Sequence, residues 1–186
     1  MNNVIIVEHP VIKTKLTELR DFSADHRKFR TLLDEIASLM TYEVTRDWPT
    51  RPQPVRTPME QMIGHALARQ VTLVPILRAG LGMADGVLKI LPDARIGHLG
   101  VSRNEETLEP KPYYQKLPPD IASTEVVLID PMLATGGSAT AAISYLKVRA
   151  WKRCNSSASS PLPKVSRRCT AITPKSRFFA LRSIVN

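Results

Sequence analysis

The sequence is poor in aromatic residues and cysteine, and it has no long hydrophobic run. Aromatic side chains make up 5% of its 186 residues, and its two cysteines, Cys154 and Cys169, are too few for a disulfide-stapled scaffold. No apolar run approaches the ~20 residues of a membrane-spanning helix, and the first residues lack the pattern of a cleavable signal. These absences predict a cytoplasmic protein with free thiols and no membrane segment.

Acidic residues are missing from the end of the sequence. Residues 148–186 contain nine Lys and Arg, seven Ser, three Pro, no acid and no Gly, whereas residues 1–147 balance 17 basic against 17 acidic residues. The formal charge of +9 therefore comes from the last segment alone. This composition is typical of disordered segments. We predict a folded domain over 1–147 and a basic Ser/Arg/Pro-rich tail over 148–186, irregular with at most one short strand near 178–185.

Apolar patterns in the first part of the chain predict alternating strands and helices. Residues 71–77 and 126–129 are rich in β-branched residues and Leu, as expected of strands buried on both faces, and 95–101 is a third strand-like run. Helical periodicity covers 14–20, 26–40, 59–68 and 82–91, and a proline-rich extended stretch covers 48–58. The pattern favours an α/β fold with a parallel sheet.

Charged residues end the predicted strands. Arg78 and Arg103 each follow a strand, and Asp130 ends another. The carboxyl ends of parallel strands meet at one edge of the sheet, where such folds hold their ligands. Arginine forks match phosphate oxygens, so the three together predict a ligand with several phosphates and with hydroxyl groups. Each arginine taken alone is more simply a solvated strand-end charge.

A small-residue turn follows Asp130 and opens the next helix. Gly136 and Gly137 allow close approach of a ligand to the backbone, and amides at a helix N-terminus suit a phosphate. Beside an acid, this arrangement indicates a ribose phosphate. The alternative is an ordinary strand-turn-helix connection capped by Ser138.

Several stretches of the sequence resemble the uracil phosphoribosyltransferase family. They are Pro75–Met83, Arg103–Pro110 and Asp130–Ser138, supported by His9–Leu16 and Leu39–Glu43. The general phosphoribosyltransferase loop has two adjacent acids, whereas the Asp-Pro-Met-Leu-Ala-Thr-Gly-Gly form found here is particular to the uracil enzymes. The resemblance covers about residues 1–147. Beyond that point the family continues with a buried strand, an Ala-Ala-Pro-Glu-Gly turn, a helix, another strand and a Gly-rich base-binding segment.

The resemblance implies a three-layer phosphoribosyltransferase-type fold with a mainly parallel twisted sheet, whose C-terminal strands are here missing or disrupted. It implies pyrimidine salvage: transfer of phosphoribose from 5-phosphoribosyl 1-diphosphate (PRPP) to uracil, giving UMP and pyrophosphate. It assigns PRPP binding to Arg78, Arg103, Asp130, Pro131, Met132, Leu133, Ala134, Thr135, Gly136, Gly137 and Ser138. No residue is assigned as an acid or base, as a uracil contact or as a direct metal ligand.

The same resemblance implies Mg²⁺ carried by PRPP, allosteric activation by GTP and a homo-oligomer. Residues 107–119, with their prolines and the pair Tyr113 and Tyr114, resemble a flap that closes over the substrate. Closure of such a flap would exclude water from a reactive ribosyl cation.

Two alternatives stay open. Residues 148–186 could come from a shift of reading frame, from a genuine alternative terminus or from a basic arm that binds nucleic acid. The competing function is an inactive PRPP-binding or RNA-binding protein on the same fold, with the tail as its arm. Arginines without interleaved aromatics over 149–168 make nucleic acid the weaker prediction, although Trp151 could stack on a base.

Overall fold

The computed structural model describes residues 7–103, 110–132, 137–156 and 177–180. None of the helices in these ranges is long and apolar enough to cross a membrane. In chain order the elements are α1 (Pro10–Arg20), α2 (His26–Val44), β1 (Thr50–Arg56), β2 (Gln61–Leu67), β3 (Val71–Leu77), α3 (Leu81–Ile90), β4 (Arg95–Ile96), β5 (His98–Arg103), β6 (Pro110–Lys116), β7 (Glu125–Asp130), α4 (Gly137–Ser156) and β8 (Arg177–Ala180).

The main sheet is mostly parallel, as the sequence predicted. Its strand order is β6-β5-β3-β7-β8, and the short β4 also pairs with β3. β4, β5 and β7 run parallel to β3, and β8 runs parallel to β7, whereas β6 is antiparallel to β5. The three predicted strands at 71–77, 95–101 and 125–130 therefore share one direction, and β3 and β7 lie side by side.

Helices cover both faces of this sheet, which gives three layers. Strand residues alternate between the faces because successive side chains of a strand point to opposite sides. Val71, Leu73, Val127 and Ile129 pack with buried residues of α1, α2 and α3. On the other face Val74, Ile76, Val126 and Leu128 pack with Ala142 and Leu146 of α4. The α/β architecture expected from the sequence is confirmed.

The predicted helix at 59–68 is wrong, because this segment contains strand β2. β2 pairs antiparallel with β1 in a two-stranded hairpin separate from the main sheet, with Arg56 opposite Gln61. Thr57 makes the turn: its amide and hydroxyl both donate to the carbonyl of Glu60. The apolar signal over 59–68 is short, and pairing with the extended proline-rich partner decides the conformation, as tertiary context often does for such segments.

Helix α4 extends further than the sequence predicted. It continues to Ser156, whereas the irregular segment was expected to begin at residue 148. No Pro or Gly interrupts residues 138–156, and an established helix gains one hydrogen bond for each residue added, so it propagates through this stretch. Among the described residues of the tail the structure also contains the short strand β8, which starts at Arg177, near the position 178–185 where a short strand was predicted.

Candidate active site

Three of the predicted ligand residues, Arg78, Arg103 and Asp130, lie at one edge of the sheet. Leu77 at the end of β3 is opposite Gly100 of β5, and Pro75 is opposite Ile129 of β7. Arg78 directly follows β3, and Asp130 is the last residue of β7. Arg103 ends β5 at the same edge, so its main chain has the predicted placement; its side chain lies outside the described residues.

The turn after β3 folds back over the ends of two strands. The Gly80 amide donates a hydrogen bond to the Ile76 carbonyl at 2.8 Å. A Cβ atom on Gly80 would lie 2.5 Å from the Ile129 carbonyl oxygen and 2.7 Å from the Ile76 amide nitrogen. This turn therefore presses directly on β7 one residue before Asp130. The exposed Arg78 and the buried Asp130 lie at the carboxyl ends of these two neighbouring parallel strands.

Replacing Gly80 by alanine is expected to destabilise the protein by ~1–3 kcal/mol, as overpacking against an immovable neighbour does. The atoms that a Cβ would meet belong to the backbone of two strands, so no side-chain rotation can relieve the contact. Gly64→Ala is the matched control, because its Cβ would meet nothing closer than 3.6 Å. Urea unfolding measures both variants; equal midpoints for the two would refute the close contact.

Asp130 is a buried carboxyl group at the ligand edge. It is 8% exposed, and one carboxylate oxygen accepts a hydrogen bond from the Met132 amide at 3.2 Å. Burial raises the pKa of Asp130 above its ordinary value, and the Met132 hydrogen bond offsets part of that rise. A partly desolvated acid at this position is suited to accept hydrogen bonds from ligand hydroxyl groups or to balance a nearby positive charge.

Helix α4 begins beside the same edge. Gly137 and Ser138 form its first residues and are half-buried. The N-terminal amides of a helix of this length carry partial positive charge and attract anions. The predicted contacts at Leu133, Ala134, Thr135 and Gly136 lie outside the described residues. Pro131 and Met132 connect Asp130 to that loop, and Met132 contributes the amide described above.

A contact that the sequence analysis missed joins β5 to β6. A Cβ atom on Gly100 would lie 2.6–2.9 Å from ring atoms of Tyr113, so the ring of this half-exposed tyrosine lies directly on the glycine. The register between β5 and β6 shifts between Gly100 and Val101. The sequence offers one signal for this contact: a glycine within a strand often marks a position that another group approaches closely. The sequence analysis predicted a flap over residues 107–119. In the structure, residues 110–116 of this stretch form the edge strand β6.

Comparison with known proteins identifies the family of this site. The family model described as uracil phosphoribosyltransferase matches residues 6–156. A uracil phosphoribosyltransferase from Dictyoglomus turgidum is 55% identical over 150 residues, which cover 80% of this chain and 72% of that protein. One from Desulfitobacterium hafniense is 52% identical over 153 residues, covering 82% and 73%. The chain belongs to the uracil phosphoribosyltransferase family. The resemblance noted in the sequence is thereby confirmed.

Among solved structures, the AQ2163 protein from Aquifex aeolicus superposes on this member of the uracil phosphoribosyltransferase family with a TM-score of 0.77. It is 31% identical, and the superposition covers 96% of this chain and 86% of that protein.

Among the residues that the structure describes, no three His, Cys, Asp or Glu cluster in a way that could hold a metal ion.

Proposed function

We propose that the chain binds PRPP across the ends of β3, β5 and β7, and that the reaction served by this site is phosphoribosyl transfer to uracil. Family membership supports the reaction and its substrates. The observation that supports the site assignment is the Gly80 turn, which follows Arg78 and packs against Ile129, the residue before Asp130. The PRPP-binding domain would comprise residues 1–147 and the continuation of α4 to Ser156, with the rest of 148–186 as a separate tail.

Each charged group would meet a different part of PRPP. Arg78 and Arg103 would hold the diphosphate and stabilise it as it departs with the bonding electrons. Asp130 would accept hydrogen bonds from the ribose hydroxyls and balance the positive charge that develops on the sugar. The amides and hydroxyls from Leu133 to Ser138, preceded by Pro131 and Met132, would surround the 5-phosphate at the start of α4. No strong base is required in this scheme.

Mg²⁺ would arrive on the diphosphate and ribose oxygens of PRPP. It prefers oxygen ligands and is often held by one or two carboxylates together with substrate phosphates. The Asp130 carboxylate is one such oxygen donor at the site, so the residues present fit a metal delivered with the substrate. When bound, the ion would supply positive charge that stabilises the diphosphate.

Arg78→Ala is expected to weaken PRPP binding ~10–100-fold, the loss expected when a charged hydrogen bond is removed. Ribose 5-phosphate should lose little affinity, because only the diphosphate of PRPP reaches this arginine. Calorimetric titration of both ligands tests the assignment. Arg51→Ala, which removes an exposed arginine from the hairpin, controls for the change in net charge. Equal losses for the two ligands would contradict the proposed role.

Three further properties are proposed on family grounds. GTP would act as an allosteric activator, the protein would work in the cytoplasm, and it would form a homo-oligomer. The last has structural support: the β1–β2 hairpin exposes the apolar side chains of Val55, Met59, Met62, Ile63 and Leu67. Exposed apolar patches of this kind are typical of interaction surfaces.

The competing function, an inactive PRPP-binding or RNA-binding protein with a basic arm, is not favoured. The family match and the named relatives support the transferase, and no observation on the described residues points to RNA.

A further inference from the structure

The sequence that follows helix α4 differs in composition from the rest of the chain. A strand, a helix and the next parallel strand form one unit, and the loop from such a helix back to the sheet is commonly 2–6 residues long. β7 and α4 begin a unit of this kind, with β7 buried along its length. After α4 ends at Ser156, the next strand that the structure describes starts only at Arg177.

We infer that codons 150–186 are read one nucleotide out of the frame in which this segment arose, and that the alternative frame encodes the strand expected after α4. The alternative frame joins the third base of each codon to the first two bases of the next. In that frame the middle base of each codon is the first base of a present codon, so the present residues restrict the class of residue encoded.

The serine-rich stretch becomes an apolar run in the alternative frame. A serine codon of the TCN type contributes T and C as the second and third bases, and codons ending in TC encode only Phe, Leu, Ile or Val. If Ser156, Ser157, Ser159 and Ser160 all have TCN codons, the alternative frame encodes four apolar residues there, with one position between them set by Ala158. Such a run has the composition of a buried strand, and it starts where α4 ends.

The residues after the serines become a small-residue turn in the same frame. With a CTN codon for Leu162, the sequence Pro161-Leu162-Pro163 encodes three residues chosen from Ala, Pro, Ser and Thr. Lys164 then gives Lys, Glu or Gln unless the Pro163 codon ends in T, which would give a stop, and Val165 gives Gly or Ser. These choices permit the Ala-Ala-Pro-Glu-Gly turn with which the family continues after a buried strand. A run of Ser and Pro has no reason to satisfy that order by itself.

Two more features agree with this reading. Trp151 has the single codon TGG and Lys152 begins with AA, so the alternative frame encodes Glu at their junction, in a segment that otherwise lacks acids. Phe178 and Phe179 have codons that begin with TT, and the alternative frame also encodes apolar residues there. The position of β8 would thus be strand-like in both frames, which accounts for its pairing with β7 in an otherwise polar segment.

Sequencing the gene from codon 146 to codon 186 is the direct test. We expect TCN codons at Ser156, Ser157, Ser159 and Ser160, and an alternative frame that stays open throughout. AGT or AGC codons at these serines would encode polar residues or stops in that frame, and they would overturn the inference. A stop codon anywhere in the alternative frame would overturn it equally.

A second test compares three full-length proteins: the present chain, a version with one nucleotide inserted before codon 150, and a control with two inserted. The first insertion restores the alternative frame, and the second opens the remaining one. We expect only the single insertion to raise the melting temperature and the soluble yield, because the apolar run that it encodes can add a buried strand to the sheet. No gain over the control would contradict the inference. Both readouts are independent of catalysis, so they separate this inference from the proposed function.

Discussion

The purified 186-residue chain is expected to bind PRPP and yet to form UMP at a severely reduced rate or not at all. The groups proposed to hold PRPP lie within residues 78–138, inside the region that matches the family model. The base-binding segment of the family, by contrast, has no recognisable counterpart in residues 148–186. Positioning the acceptor for attack supplies ~7–11 kcal/mol of barrier reduction in well-oriented reactions, so its loss removes most of the acceleration.

The two halves of this expectation are measured separately. Calorimetric titration with PRPP and Mg²⁺ reports binding, and a radiometric assay with labelled uracil reports UMP. The Dictyoglomus turgidum relative, assayed in parallel, supplies the reference rate. UMP formation at that reference rate would show that residues 148–186 do position uracil. Absence of PRPP binding would instead contradict the site proposed here.

The central strands and the ligand edge were predictable because their signals are local and redundant. Six of the seven side chains of β3 and four of the six of β7 are apolar, and short runs rich in β-branched residues are typical of strands buried on both faces. Once these strands are parallel, Arg78 and Asp130 must lie at the same edge. The chain itself therefore contains the information that brings these distant residues together.

Other features depend on contacts that a local pattern does not contain. The apolar spacing over residues 59–68 fits a helix, but the segment is short, and pairing with β1 decides its conformation. The role of Gly80 arises only when β7 lies beneath its turn, since its own backbone is an ordinary helical one. The extension of α4 to Ser156 reflects propagation from an established helix, so a change in composition at residue 148 does not mark its end.

Asp130→Asn is expected to raise the melting temperature near neutral pH. Burial holds the pKa of Asp130 above its ordinary value, so the folded state binds this proton more tightly than the unfolded state does. As the pH rises from the ordinary value of the group through its raised folded value, the folded state loses stability relative to the unfolded state. Asparagine has no charge to desolvate, and its side-chain oxygen can still accept the Met132 hydrogen bond.

The pH dependence of this stabilisation provides a control for the test. At a pH below the ordinary value of the carboxyl group, Asp130 is protonated in both states, so the gain from Asn should disappear. Asp93→Asn, at an exposed acid, should change the melting temperature little at either pH. A melting temperature that falls by the same amount at both pH values would contradict the assignment of Asp130 as a desolvated charge.

The same Asp130→Asn variant is expected to bind PRPP ~10–100-fold more weakly, because each hydrogen bond from a ribose hydroxyl to a carboxylate contributes ~1.5–3 kcal/mol. Ribose 5-phosphate should lose a similar factor, since it carries the same hydroxyls, and this separates Asp130 from Arg78. A variant that is more stable but binds its ligand less tightly is expected when the native residue serves binding and destabilises the fold. Unchanged affinity for both ligands would leave Asp130 with no part in binding.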